Sequence, residues 1–317
     1  MRGVNQLVVP TTLDVGDRRL RYDHVIDLDR DDPIGNQMAS GEWKLSGAML
    51  WLLGCLAPGD CVLDLGAHFG TFALPAAVLG ARVVAVEGSP HNAALLRAAC
   101  AQNDLGPGAV DCQEIVVDTA VGQVEFVDLG PYGTIATPAI GAGTGYPTIS
   151  ASTTTVDLLA GGPFAWAKVD IEGMEAAILA GATRTMSQLR GLVVESNGYM
   201  LHHHGSDPHA MVRAIEQAGL TVYEVGPGTL RPLFHPFVQP ETIVDYVAVR
   251  GTPALPSGWR VTAGRRRDEI LDALLAESRH PIAEHRAHAE RTMAGLPRRL
   301  ARHLRARADF NGGYAGV

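Results

Sequence analysis

Lysine is almost absent from this chain. Lys44 and Lys168 stand against 24 arginines in 317 residues. The net charge is −8, and the basic residues gather at one end. From Arg260 to Val317, 12 arginines face 7 acidic residues, a local +5 that leaves −13 on the rest. An acidic body without a basic stripe or an N-P-P-Y motif argues against a nucleic-acid substrate. Cysteine is scarce too: Cys55, Cys61, Cys100 and Cys112 include no C-x-x-C pair and lie in apolar segments. This points to buried free thiols in a reducing compartment rather than a disulfide framework. The longest uncharged apolar run near the N-terminus, Ala48 to Ala57, is too short to span a bilayer, and no signal-peptide pattern precedes it. A cytoplasmic protein without a membrane span is expected. Hydrophobic residues make up 46% of the chain, enough for a sizeable core.

The stretch with most information runs from Cys61 to Pro90. Val62-Leu63-Asp64-Leu65 reads as a buried strand, Gly66-Ala67-His68-Phe69-Gly70 as a tight turn, and Thr71 to Leu79 as a helix. Arg82 to Val86 is a second buried strand, ending at Glu87. Ligands of open α/β sheets bind outside the carboxyl ends of the strands, so both acids face one crevice. The dinucleotide fingerprint G-x-G-x-x-G is missing, and a carboxylate precedes the turn. S-adenosylmethionine, which has no phosphate and carries an ammonium and a sulfonium, suits that charge better than a pyrophosphate. Asp64 is expected at its amino-acid end and Glu87 at the ribose hydroxyls. Gly66, Ala67, His68, Gly70, Gly88 and Ser89 are expected along the cofactor. A plain strand-turn-helix with surface acids is the alternative.

The rest of the chain alternates strand and helix. Residues 1–45 suggest an N-terminal cap, irregular or made of short strands, with a helix over Lys44 to Leu56 leading into the core. Ser89 and Pro90 start a helix in the order capping favours. Val110 to Val117 is a third strand, with Asp118 able to approach the adenine, and Val124 to Val127 reads as an edge strand. Residues 130–150 turn to Gly, Pro, Thr and Ala, a composition that fits a lid or a plain insertion equally. A strand ending at Asp170, a strand over Leu192 to Val194 and a helix from Pro208 to Ala218 follow, then strands over Leu220 to Val225 and Ile243 to Arg250. Apolar stripes through Ile270 to Leu275 and Met293 to Leu304 predict short helices. Their stripes suit self-docking or a homodimer. The expected layout is an S-adenosylmethionine-binding domain over 46–252 and a helical Arg-rich extension over 253–317.

Lys168-Val169-Asp170-Ile171-Glu172-Gly173-Met174-Glu175 is the second distinctive motif. With Pro58-Gly59-Asp60 through Gly70, it resembles the FkbM family of S-adenosylmethionine-dependent methyltransferases. That family's pattern is approximately P-G-D-x-V-x-D-x-G-A-N-x-G, an acid ahead of a Pro, then K-x-D-x-E-G-x-E. Glu87 with Pro90 matches the middle element, and Val193-Val194-Glu195 resembles a later strand. The resemblance covers about residues 40–250. It departs at His68, where the family usually has Asn.

The resemblance implies a class I methyltransferase fold: an α/β, Rossmann-like, mostly parallel seven-stranded sheet with helices on both faces. The function it implies is methyl transfer to a hydroxyl of a sugar, glycolipid or polyketide-type natural product, a small-molecule acceptor. A hydroxyl needs help in losing its proton. Asp170 and Glu172 are candidates for base or substrate binding, and Asp170 also for the cofactor. Helix capping is the plainer alternative for these acids. Glu195 and His202, within His202-His203-His204, are further catalytic candidates. Asp170, Glu195 and Asn197 form an oxygen-only set similar to the Mg²⁺ site of catechol-type O-methyltransferases. Trp43, Tyr132 and Tyr146 are candidates to close over cofactor or acceptor. His235 reads as structural. A competing expectation is a catalytically idle methyltransferase fold that binds a partner through its basic C-terminal helices.

Overall fold

The computed structural model describes residues 5–30, 32–138, 140–141, 147–233 and 243–263. The expectations for Tyr146, His235 and the C-terminal helical stripes lie outside these residues.

The cap is more regular than expected. Strands β1 (Gln6–Val15) and β2 (Arg18–Asp27) form a ten-residue antiparallel hairpin. Helix α1 (Pro33–Ser40) follows, its first N–H groups at Ile34 and Gly35 bonded to the Asp32 carboxylate. Helix α2 (Gly47–Cys55) begins three residues later than Lys44, because the Ser46 hydroxyl accepts from the Met49 N–H and caps it there.

Strand β3 (Cys61–Leu65), helix α3 (Ala73–Val78), strand β4 (Arg82–Glu87), helix α4 (Pro90–Gln102) and strand β5 (Val110–Glu114) build the first half of the core. The predicted strand 110–117 is in fact two. It breaks at Ile115, and β6 (Val116–Val117) joins a second sheet with β7 (Gly122–Val127), β8 (Thr134–Ile135) and β9 (Thr148–Thr154), in the order β6-β9-β7-β8. The second half runs through β10 (Trp166–Val169), α5 (Glu175–Gly181), α6 (Thr183–Gln188), β11 (Gly191–Asn197), α7 (Gly198–His203), α8 (Pro208–Gln217), β12 (Thr221–Gly226), β13 (Thr229–Pro232), β14 (Ile243–Val249) and β15 (Arg260–Val261).

Among the described residues the main sheet has nine strands rather than the expected seven, in the order β15-β13-β12-β14-β11-β10-β3-β4-β5. Seven of them match the expected alternation, and β14 is antiparallel to both its neighbours. The surplus is β13, which turns back on β12, and β15, which pairs with β13 in parallel. The described part of the expected helical extension, residues 253–263, therefore adds a strand to the sheet edge. It is also tied to α2, where the Trp51 indole N–H donates to the Ala254 carbonyl at 3.1 Å.

Two apolar layers sandwich the sheet, and β4 shows how its sequence divides between them. Val83 and Ala85 pack into the layer with α2, α3 and α4; Val84 and Val86 pack into the other, with α5 and α8. This is the two-residue period of a strand buried on both faces. The same alternation puts Asp64 and Lys168 in the first layer, directly opposite each other in the β3–β10 register. Chain order reverses between β3 and β10, so their carboxyl ends open a crevice at that switch point. The four cysteines are free, but only Cys100 is buried, the other three being partly exposed where buried thiols were expected. Among the described residues no helix is long and apolar enough to cross a membrane.

Candidate active site

The crevice is a cleft of about 710 Å³, counting the part open to solvent. Val86, Ile115, Val116, Val117 and Phe126 are among its apolar lining. Its polar lining includes His68, Thr71, Glu87, Lys168, Asp170 and Glu172. The second sheet supplies a roof through Phe126, Thr134 and Ile135, with Gly130 and Gly133 beside it.

The turn after β3 is built for close backbone approach. Gly66 has φ +73°, and a Cβ added there would sit 1.8 Å from the Asp170 carbonyl oxygen. Gly66→Ala combines that overlap with a left-handed backbone, and about 3 kcal/mol of lost stability is expected. Thermal melts check this: an unchanged midpoint would mean that the β10 end yields freely. His68 is also left-handed, at φ +54°. Its backbone N–H donates to Glu87 Oε2 at 2.7 Å, and Glu87 Oε1 accepts from the Ser89 N–H at 2.8 Å. Glu87 thus braces both turns at the cleft's edge, and burial raises its carboxyl above the usual range.

Asp64 lies behind this turn instead of lining the cleft. It is fully buried, and neither of its oxygens reaches a donor in hydrogen-bonding geometry. Its charge is met by Lys168 Nζ, 3.5 Å from Oδ1. Burial raises the Asp64 carboxyl, Lys168 opposing. The same Nζ donates to the Gly66 carbonyl at 2.6 Å and lies 3.3 Å from Asp170 Oδ2. Burial alone would lower the lysine's pKa, but Asp170 and Asp64 together raise it above its ordinary value. Lys168 is the residue that ties strand, turn and cleft together. Sequence reasoning quoted it only as part of a motif.

Beyond Asp170 the backbone turns left-handed at Glu172, φ +53°. Glu175 holds that turn from below: its carboxylate accepts from the N–H groups of Ile171 and Gly173 at 3.0–3.1 Å. Burial raises its pKa to about 7. Asp170, Glu172 and Glu195 each bring one oxygen within 4.8 Å of the others. Glu172 and Glu195 are both held well above the carboxylate range, first by burial and then by Asp170. Glu195 also faces Asp245 directly across the β11–β14 ladder, a like-charge pair.

Of the residues expected for a metal, Asp170 and Glu195 bring oxygens together, and Asn197 lies against Glu172 beside them. Asn197 Oδ1 accepts from the Met200 N–H at 3.2 Å and caps α7, while Nδ2 donates to Glu172 Oε2 at 3.3 Å. Glu172 joins Asp170 and Glu195 in that cluster. His202 is exposed on α7, so the histidine of the triplet that reaches the site is His204. Its Nε2 lies 3.0 Å from Thr134 Oγ1, which in turn donates to the Glu172 carbonyl at 3.0 Å. One hydroxyl proton cannot serve both bonds, so the His204 ring donates to Thr134. Burial lowers the His204 pKa.

Tyr132 sits half-buried in a short 3₁₀ turn at Gly130–Tyr132. Burial raises its hydroxyl, and Glu172, Asp32 and Glu195 push it further. Trp43 packs edge-on against His24 at 5.5 Å and does not line the cleft. The Asp118 carboxylate accepts from the Thr119 N–H at 2.6 Å, and the neighbouring Val116 and Val117 line the cleft. Ala67, Gly70 and Ser89 shape the turns without lining the cleft.

The methyltransferase FkbM domain model matches residues 64–221, from Asp64 behind the turn through Asp170, Glu172 and Glu195. The chain belongs to the FkbM methyltransferase family. No curated protein matches it. Among solved structures, methyltransferase FkbM from Methylobacillus flagellatus KT is 15% identical, over 68% of this chain and 52% of that one, with a TM-score of 0.44. The T. thermophilus 16S rRNA N2 G1207 methyltransferase is 15% identical over 77% of this chain and 51% of its own, TM-score 0.38. Precorrin-6y C5,15-methyltransferase from Geobacter metallireducens GS-15 is 14% identical over 63% and 85%, TM-score 0.35. This FkbM-family chain thus spans about half the length of the first two. The family match begins at Asp64, so the hairpin and α1, whose Ile34 lines the cleft, lie outside it.

Proposed function

We propose that this methyltransferase binds S-adenosylmethionine in the cleft and methylates a hydroxyl of a sugar, glycolipid or polyketide-type natural product. The observation that carries the reading is a cleft at the β3–β10 switch point whose lining includes both an apolar set, with Val116, Val117 and Phe126, and a carboxylate-bearing set, with Asp170 and Glu172. A ligand with a flat base at one end and a cationic amino acid at the other fits both. Val116, Val117 and Phe126 would hold the base, and Glu87 would border the ribose. Asp170, a quarter exposed and so reachable from the cleft, would face the ammonium. When bound, S-adenosylmethionine would supply an activated methyl, whose carbon the acceptor oxygen would attack while the S–C pair leaves with the sulfide.

The chain's own residues then have two tasks. Rigid turns at Gly66 and Glu172 place donor and acceptor at close range, where much of the rate advantage of an in-line displacement arises. Glu172 or Glu195 takes the acceptor's proton, both being more basic than free carboxylates. Tyr132, near the same acids, is suited to orient the acceptor.

Calorimetric titration with S-adenosylhomocysteine, with and without Mg²⁺, is the test. Micromolar binding is expected. Absence of binding under both conditions would overturn the reading in favour of an idle fold. Tighter binding with Mg²⁺ would assign Asp170, Glu172 and Glu195 to a hard cation, which their oxygen-only chemistry allows.

A further inference from the structure

Asp32 is 32 residues upstream of the family match, on the cap, yet it reaches the cofactor turn. Its Oδ2 lies 2.7 Å from His68 Nε2, and both side chains are buried. Its Oδ1 accepts from the N–H groups of Ile34 and Gly35 at 2.9 and 3.0 Å, which caps α1. Burial would raise this carboxyl, but the His68 and backbone bonds more than reverse that and keep it low. A carboxylate at 2.7 Å requires the proton on Nε2. The other ring nitrogen, Nδ1, is buried and has no partner in the protein, although His68 lines the cleft and is only 6% exposed. A buried polar atom without a partner is costly, and its natural resolution is a ligand.

We propose that Asp32 is a positioning residue for the cofactor, fixing the His68 ring so that Nδ1 meets the amino-acid end of S-adenosylmethionine. The inference rests on the proposed function. Once the base lies on the apolar lining, the polar groups of the cleft, His68 among them, are left for the zwitterionic end. The Glu87 bond to the His68 N–H fixes the backbone, and Asp32 fixes the ring. This gives a physical role to the departure from Asn at position 68: a longer side chain needs a second anchor, which the cap supplies.

Asp32→Asn is the variant that tests this. Asn caps helices as well as Asp does, so α1 is retained. With its oxygen kept by the cap, its amide presents a donor to Nε2, and the ring must move its proton to Nδ1. Affinity for S-adenosylhomocysteine is expected to fall about tenfold. Affinity for 5′-methylthioadenosine, which lacks the amino-acid end, should stay within about twofold of the wild type. Calorimetry reads both. Asp32→Ser, also a capping residue, repeats the comparison if the Asn variant fails to fold. Equal losses for both ligands would make Asp32 merely structural and overturn the inference. So would unchanged binding of S-adenosylhomocysteine. Wild-type protein that binds neither ligand would overturn the functional reading and this inference with it.

Discussion

Lys168→Met is expected to destabilise the protein by about 3–5 kcal/mol, the range for removing one partner of a buried ion pair. The expected fall in melting temperature is roughly 10 °C. Lys168 is 2% exposed and Asp64 fully buried, and the variant leaves Asp64 as a buried acid with no cation nearby. It also removes the donor to the Gly66 carbonyl, so S-adenosylhomocysteine binding should fail together with stability. The double variant Asp64→Asn/Lys168→Met removes both charges and should recover much of the stability, because a pair replaced by neutral groups is often close to neutral. It should not recover binding, since the turn's tether is still missing. Thermal melts and calorimetry on the three proteins check this. If the single variant melts like wild type, the pair does not hold the turn.

That pair shows where sequence reading stopped. Asp64 was visible as the acid before a glycine turn, and Lys168 as the first residue of a motif. What joins them is the β3–β10 register, which sets 64 opposite 168 and Val62 opposite Trp166. Neither strand alone carries that information. Elements with their own signals were legible: α4 with Ser89 and Pro90, α8 with Pro208 in its first turn, and the apolar runs of β3 and β4. Those decided by tertiary pairing were not. The run from 110 to 117 is uniformly strand-like, and only the second sheet's claim on Val116 and Val117 divides it. The two-residue β15 and the four-residue β13 have too little pattern to announce themselves.

The site divides the same way. Glu172, Asp170 and Glu195 were legible because acids recur at strand ends. Asn197, read as a ligand through its oxygen, lies against Glu172 and also starts α7. His204 was passed over because three adjacent histidines carry no signal for which one faces inward. Helical geometry turns His202 to solvent and His204 towards Thr134. The Asp32–His68 contact joins residues 36 apart across an element boundary, beyond any local pattern.

Glu172→Gln and Glu195→Gln should move stability and activity in opposite directions. Each wild-type carboxyl is raised in the folded state. A group raised on folding favours the folded state while protonated, and that advantage is lost as pH climbs from the unfolded value through the folded one. Wild-type melting temperature should therefore fall as pH rises from about 4.5. Glu175, raised to about 7, adds to the slope up to that pH in every variant. A Gln at 172 or 195 removes one of the remaining contributions, so each variant should melt above wild type by a margin that widens with pH. Activity should respond the other way. The residue that accepts the acceptor's proton should lose about 10²–10⁴ in kcat when it becomes an amide. The other should lose less, and chiefly through KM, by ceasing to hold the acceptor. Melts from pH 5 to 9 and steady-state kinetics on both variants separate these effects. Parallel melting curves would remove the burial argument for both acids. Near-wild-type kcat in both would assign the proton elsewhere in the cleft, with Asp170 the next carboxylate to test.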